Sequence, residues 1–372
     1  MRALWFIAAV TIFATALQCF AGHIAEDPTI IPVSGELVWL DPANGHGKSL
    51  LRMEGEALGK PVVVDKTLYV ASSHTVHSLD AMTGKSNWQF TTDGSIFSIA
   101  VAPRQIFVGA AGTLIAIDPA GKELWRYESD LAIVDPLLAD DLIVFNSVDG
   151  PVAVDQKTGK LRWRLAVQWG YFVFSPMSEH RLCIWKPDEI FVVETERGKT
   201  LWHSTADQSN TAPGALPTAA VAVDDLICQL RGTPKDANDW SLLGREGGSG
   251  RTIWRTPLGQ HEAAGARTMI AGKSAYCILE DQLSAVEMSG GTLKWQKTIK
   301  PMEAGGAALL SGHGLVYLPQ LGGEVTALEE KTGKAIWIAG APKPSPDGQI
   351  RVGGMCVNDA GVWVTRNDQQ RR

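Results

Sequence analysis

Eight times along this chain of 372 residues a glycine is followed four positions later by a tryptophan: Gly35/Trp39, Gly84/Trp88, Gly121/Trp125, Gly159/Trp163, Gly198/Trp202, Gly250/Trp254, Gly291/Trp295 and Gly333/Trp337. Chance placement of the 38 Gly and 13 Trp predicts about one such pair. Successive Trp positions lie 49, 37, 38, 39, 52, 41 and 42 residues apart. A recurrent period of this size marks a repeat protein, and about 40–50 residues is the length of one four-stranded propeller blade.

The units spell one local structure. In seven copies an acid stands three or four residues before the Gly: Asp80, Asp118, Asp155, Glu194, Glu246, Glu287 and Glu329. A short apolar alternation such as "LIAID" or "PVAVD" precedes the acid, the pattern of a half-buried strand. The acid can accept hydrogen bonds from the turn amides, and Gly supplies a positive φ that other residues resist. The phrase "AVDQKTGKLRW" therefore encodes third strand, turn and fourth strand, with Trp163 on the last.

A second hairpin accompanies each phrase, with turns at Asp65–Thr67, Pro103–Gln105, Asp140–Asp141, Glu179–His180, Asp224–Asp225, Gly272–Lys273, Gly312–Gly314 and Asp359–Gly361. The last of these follows the final Trp phrase, whereas the first Trp phrase precedes the first hairpin. The two remnants complete one another: strands near Met355–Val357 and Val362–Thr365 form the inner part of a blade, and Ile30–Trp39 its outer part. The expectation is an all-β, eight-bladed β-propeller of four-stranded antiparallel blades, closed by pairing the N- and C-terminal strands.

Residues 1–21 stand apart from this pattern. Arg2 precedes an apolar run from Leu4 to Leu17, too short to span a bilayer, and a small-residue cleavage site ends at Ala21. We read 1–21 as a secretory signal peptide and 22–372 as one propeller domain. The chain is then exported, periplasmic or envelope-associated in a bacterium, and not membrane-spanning. A lipid anchor on Cys19 is a second reading, with Gln18 standing where that signal expects a small residue. Cys183, Cys228, Cys277 and Cys356 follow no C-x-x-C spacing, and the first three sit in apolar runs, so free buried thiols are expected. The net charge is −6 with no basic stripe, which excludes nucleic acid as an expected partner.

The phrase "LDAMTGKSNW" and its relatives resemble the pyrroloquinoline-quinone-like (PQQ-like) repeat. That repeat builds the propellers of the quinoprotein dehydrogenases and of the BamB family of outer-membrane assembly lipoproteins. The resemblance covers nearly all of the chain after residue 21. It implies a structural role between blades for Trp39, Trp88, Trp125, Trp163, Trp202, Trp254, Trp295 and Trp337.

Two functions follow from the resemblance. One is a non-catalytic scaffold that binds protein partners in the cell envelope, as in BamB-like outer-membrane protein assembly. The other is a PQQ-dependent dehydrogenase holding quinone and calcium in the central channel. The sequence has no adjacent Cys-Cys pair, no C-x-x-C-H haem attachment and few long insertions to build a lid. We therefore assign no catalytic, cofactor-binding or metal residue and expect no cofactor; PQQ and calcium belong to the alternative alone. Asp140/Asp141 and Asp224/Asp225 read as turn acids. His74 and His77, three apart in an extended segment, point to opposite faces and make a poor metal pair. There is no G-x-S-x-G elbow and no P-loop. A small-ligand or glycan sensor stays open.

Departures from the repeat carry the remaining information. The long gaps contain Asp41–Lys60 and Leu230–Trp240, both read as surface loops, and loops on a rigid scaffold commonly carry recognition. A third departure, "VQWGYFVFSP" (Val167–Pro176), opens the fourth unit with four aromatic residues. Trp169, Tyr171 and Trp240 are the candidate partner contacts, with inter-blade packing the competing reading for the aromatic stretch.

Overall fold

The computed structural model describes residues 30–167, 170–186, 189–205, 220–232, 239–261, 267–300, 302, 309–346 and 348–371. β1 (Ile30–Leu40) and β2 (Gly47–Glu54) come first. Seven four-stranded meanders follow in chain order. They are β3 (Val62–Val64), β4 (Thr67–Ala71), β5 (Thr75–Asp80) and β6 (Ser86–Thr91); β7 (Ile96–Ala102), β8 (Gln105–Ala110), β9 (Thr113–Ile117) and β10 (Glu123–Glu128); β11 (Leu137–Ala139), β12 (Leu142–Ser147), β13 (Gly150–Asp155) and β14 (Leu161–Arg164). The next are β15 (Val173–Met177), β16 (Arg181–Lys186), β17 (Glu189–Glu194) and β18 (Thr200–Thr205); β19 (Ala220–Val223), β20 (Leu226–Gly232), β21 (Asp239–Glu246) and β22 (Thr252–Gln260). The last are β23 (Arg267–Ala271), β24 (Ser274–Leu279), β25 (Gln282–Glu287) and β26 (Leu293–Thr298); β27 (Leu310–Gly312), β28 (Leu315–Pro319), β29 (Val325–Glu329) and β30 (Ala335–Ala339). β31 (Gly348–Asn358) and β32 (Gly361–Arg371) end the chain. The eight antiparallel sheets make the chain an all-β, eight-bladed propeller.

The eighth sheet runs in the order β2-β1-β32-β31. N- and C-terminal strands pair antiparallel from Ile30↔Arg371 to Leu40↔Val362, so the expected closure is present.

The contacts divide the chain into two compact units. In the unit made of 1–135, 302–328 and 335–372, first strands lie side by side, β3 against β7 and β31, and β27 against β31. In the unit made of 136–301 and 329–334, β11, β15, β19 and β23 neighbour one another in turn. The core lies between successive sheets. Tyr317, Val325 and Trp337 of one blade bury against Val38, Val352 and Val364 of the next. Val144, Ala153 and Trp163 do the same against Leu182, Phe191 and Val193. Burial of this alternating apolar face is the main stabilising term.

The repeated phrase turns out to be a seam. Six fourth-strand indole N–H groups donate to the carbonyl just after the acid in the next blade's turn: Trp88 to Pro119 (2.8 Å), Trp163 to Thr195 (2.6 Å), Trp202 to Gly247 (2.6 Å), Trp254 to Met288 (2.9 Å), Trp295 to Glu330 (3.0 Å) and Trp337 to Pro42 (2.8 Å). The same ring covers the turn glycine. A Cβ on Gly121, Gly198, Gly291 or Gly333 would lie within 3 Å of Trp88, Trp163, Trp254 or Trp295. Glycine is needed there both for its positive φ and for the close approach.

Two features differ from the sequence reading. Gly35 and Trp39 are not a hairpin pair, because both lie within β1. The true eighth turn is Asp41–Gly45, where the Gly45 N–H bonds the Asp41 carbonyl at 2.8 Å, as Gly84 bonds Asp80 at 2.9 Å. Four residues after Gly45 stands Ser49, so this turn lacks the Trp that signals the others. In consequence Asp41–Lys60 is not simply a surface loop: its middle is β2, the fourth strand of the closing blade. Trp39 bonds Ala360 of its own blade at 3.2 Å, and Trp363 on β32 reaches the next blade instead, at the Ala81 carbonyl (2.8 Å).

Candidate interaction surfaces

In three places a segment leading into a new first strand is pinned by side chains of the blade before it, twice from the second strand and once from the first. Asn146 on β12 clamps the aromatic stretch: its Nδ2 donates to Phe172 O at 2.8 Å and its Oδ1 accepts the Phe172 N–H at 3.0 Å. Asn367 on β32 repeats the device on Leu58, at 2.9 and 2.8 Å, and Thr365 Oγ1 donates to Gly59 O at 3.0 Å. Ser98 accepts the Asp135 N–H at 2.9 Å. A side-chain amide carries both donor and acceptor groups, so it can stand in for a strand neighbour where no strand exists.

Tyr171 is half-buried just before the clamped Phe172, whose ring is 1% exposed and meets Phe191 edge-on at 6.3 Å. Beside it, Lys186 and Glu189 pair at 3.3 Å, and both side chains are largely buried. Of the aromatic stretch, Phe172 is core and Tyr171 lies at its margin; Trp169 lies outside the described residues. Trp240 is interior, 3% exposed in a cluster with Leu230, Leu242 and Leu258. Its Nε1 donates to His261 O at 3.0 Å. The stretch read as an insertion there contributes Leu230–Gly232 to β20 and Asp239–Trp240 to β21, while 233–238 lie outside the described residues.

The repeated acids are occupied by their own turns. Asp80 Oδ1 accepts from Thr83 Oγ1 (2.7 Å), Thr83 N (2.8 Å) and Met82 N (3.2 Å), and these bonds hold its pKa below the usual value. At Asp155 burial works in the opposite direction, yet bonds from Thr158 and Lys157 and the Arg162 contact at 3.1 Å win, and its pKa is lowered too. Asp140 and Asp224 take positive φ values of 52° and 50° at hairpin turns. Asp140 meets His180 (3.0 Å), Asp141 meets Arg162 (3.5 Å) and Asp225 meets Arg181 (2.9 Å). Asp80 and Asp155, with their pKa values lowered, are structural acids and not poised bases.

Calcium is held by oxygen ligands, carboxylates among them. The eight first strands carry only Arg267 and Arg351 as charged residues, and no Asp or Glu. Among the described residues no group of three or more His, Cys, Asp or Glu side chains is placed to hold a metal ion. His77 is buried and His74 exposed. Cys183, Cys228, Cys277 and Cys356 are free, and the first three are buried. The described residues also include no helix long and apolar enough to cross a membrane.

Comparison with known proteins agrees with this architecture. The family profile described as outer membrane protein assembly factor BamB matches residues 72–178, 148–310 and 241–355. A BamB of Burkholderia pseudomallei is 34% identical over 109 residues, 28% of each chain. The serine/threonine-protein kinase AfsK of Streptomyces coelicolor is 34% identical over 117 residues, 31% of this chain and 14% of the kinase. The aligned stretches thus span under a third of these relatives. Among solved structures, BamB from Moraxella catarrhalis superposes with a TM-score of 0.64 at 15% identity, over 83% of this chain and 96% of that one. The quinohemoprotein alcohol dehydrogenase ADHIIG from Pseudomonas putida HK5 superposes at 0.55 and 14% identity, over 92% and 76%. At such identities the superpositions speak for the fold alone.

Proposed function

This chain belongs to the family of outer membrane protein assembly factor BamB, and from that premise we propose that it is an exported, non-catalytic propeller scaffold. Its partners are proteins of the bacterial cell envelope, and its process is outer-membrane protein assembly. The observation that carries this reading is the family match itself, which runs from residue 72 to 355 and takes in six whole blades, β7 to β30, with parts of the other two. The leader-like segment 1–21 supports export. The turn hydrogen bonds that hold the Asp80 and Asp155 pKa values low support a scaffold, since such carboxylates are weak proton acceptors near neutral pH.

The test is genetic and biochemical. A C-terminally tagged chain produced with its own leader is expected to fractionate with the envelope and to co-purify, after cross-linking, with the machinery that inserts outer-membrane barrels. Deleting the gene is expected to lower the level of those barrels. Retention in the cytoplasm, or unchanged barrel levels in the deletion strain with no cross-linked envelope protein, would sink the reading. A quinone-dependent dehydrogenase is the second reading, since the propeller fold is shared with such enzymes and a fold by itself does not choose between functions. Saturable quinone binding in the presence of calcium, with dye reduction by alcohols, would move the assignment to it.

A further inference from the structure

The fourth strand of each sheet has one open side. An open edge is a template for another chain unless charged or polar side chains blunt it. Most fourth strands are blunted: Arg126 on β10, Arg162 and Arg164 on β14, Arg255 on β22, Lys294 and Lys297 on β26. β30 is different. Its sequence, "AIWIA", has no polar side chain at all. Ile336 is 46% exposed and Ile338 56%, the largest exposure of any large hydrophobic side chain among the described residues. Being two apart, they share one face, opposite the docked Trp337.

In sequence the apolar run is bounded by lysines, "KAIWIAGAPK" from Lys334 to Lys343, with no acid between them. Both lysines are exposed. Pro342 ends the run, since it offers no N–H for further pairing.

We propose that β30 is a docking strand to which an extended segment of a protein partner adds as a fifth strand. The segment presents aliphatic side chains at alternate positions to Ile336 and Ile338, and acidic residues at its two ends to Lys334 and Lys343. Main-chain pairing supplies affinity in this mode and the alternating side chains supply selectivity. Charge decides the occupant. A second copy laid antiparallel over the same ten residues would set Lys334 opposite Lys343, a like-charge pair that opposes association; an acid-ended strand turns both contacts into attractions. The inference shares with the scaffold reading only the premise that the partner is a protein. Its test uses purified components, so it fails or stands apart from that reading.

The probe is a fluorescein-labelled peptide, Glu-Glu-Val-Thr-Val-Thr-Val-Glu-Glu, titrated against the full chain at low salt and read by fluorescence anisotropy. Saturable binding is expected, weaker by about tenfold for the same peptide ended in lysines. Ile338→Lys is expected to weaken it by at least about tenfold while leaving thermal unfolding unchanged, because the side chain is exposed. Of two peptides N-methylated on alternate amides, one should lose binding, since only one set faces β30. Three results each overturn the proposal: no binding at about 1 mM peptide, equal binding by wild type and Ile338→Lys, or full binding by both N-methylated peptides. A dimer in sedimentation that Ile338→Lys abolishes would assign the strand to a second copy and overturn it as well.

Discussion

Trp363 Nε1 donates to the Ala81 carbonyl at 2.8 Å across 282 residues of sequence, and through that bond a second-strand indole docks the closing blade. Trp363 stands where other blades place Tyr69, Phe107, Tyr276 or Tyr317, rings that lie about 6 Å from the fourth-strand Trp of their own blade. In six blades the third-strand residue paired with that Trp is Gly, Ala or Ser, as with Ala153 opposite Trp163, Gly244 opposite Trp254 and Ala327 opposite Trp337, and in a seventh it is Val192, opposite Trp202. The closing blade carries Trp39 at that point, paired to Trp363. The bulk moved inward one strand, and the longer side chain at 363 reaches the acceptor.

Replacing Trp363 by Ala should therefore cost about 3–5 kcal/mol, the loss of a fully buried indole and its bond, whereas Trp39→Ala should cost about 1–2 kcal/mol. Urea unfolding followed by near-ultraviolet circular dichroism measures both. Equal losses would show that the two indoles share the docking.

Gly45 and Gly55 separate backbone strain from crowding. Their φ values are 72° and 74°, but a Cβ on Gly45 would stand 2.5 Å from Trp337 and one on Gly55 would meet nothing within 4 Å. Gly55→Ala should lose about 1–2 kcal/mol, the cost of the left-handed conformation. Gly45→Ala should lose that and a further 1–3 kcal/mol or so from overpacking, with a shift in Trp emission as Trp337 is displaced. Matching midpoints for the two variants would remove the indole from the account of this turn.

The sequence disclosed the blades because each one restates the same local chemistry: acid, turn glycine, and an indole four residues on. It misled where that chemistry was displaced. Asp41–Gly45 is a true turn, but with Ser49 in place of Trp it read as part of a loop, while Gly35/Trp39 matched the spacing inside a single strand. Trp240 resembles a loop anchor because 233–239 is mostly polar, with only Pro234 and Ala237 apolar; long strands on both sides draw it into the core. The clamps were invisible for another reason. Asn146 and Phe172 are 26 residues apart and Asn367 and Leu58 are 309 apart, and no local pattern announces a lone amide that finds backbone so far away. The edge at β30 was legible as composition, but its exposure could come only from the structure.

His77 sets a pH dependence. It is 4% exposed, with Nε2 3.3 Å from Ser72 Oγ. Burial pushes its pKa below 6.5, and the charge of Glu56 offsets only part of that. Gln89, its partner on β6, brings no charge. The folded chain thus keeps the ring neutral at pH values where the unfolded chain, near about 6.5, already takes up a proton. Its contribution is complete above that pH and is lost as pH falls toward the lower folded value, by at most about 1.4 kcal/mol per pH unit. Urea midpoints of wild type and His77→Gln should run parallel from about pH 8 to 7 and converge on further acidification. Parallel curves down to about pH 5 would show that His77 does not titrate differently in the two states.

The thiols give a readout of local opening. Burial pushes Cys183 and Cys228 up to about 12 and raises Cys277 as well. Cys356, half-buried on β31, is raised too, but bonds to backbone amides and the charge of Lys60 draw it partly back. Since the thiolate is the attacking species and must also meet the reagent, a disulfide reagent at about pH 8 should modify Cys356 first, identified by peptide mass. Cys183, Cys228 and Cys277 should react only as fast as the surrounding blades unfold, and all at once in denaturant. If Cys183 or Cys228 were modified in the native protein as quickly as Cys356, the sheets around β16 and β20 would have to open far more readily than their complete burial implies.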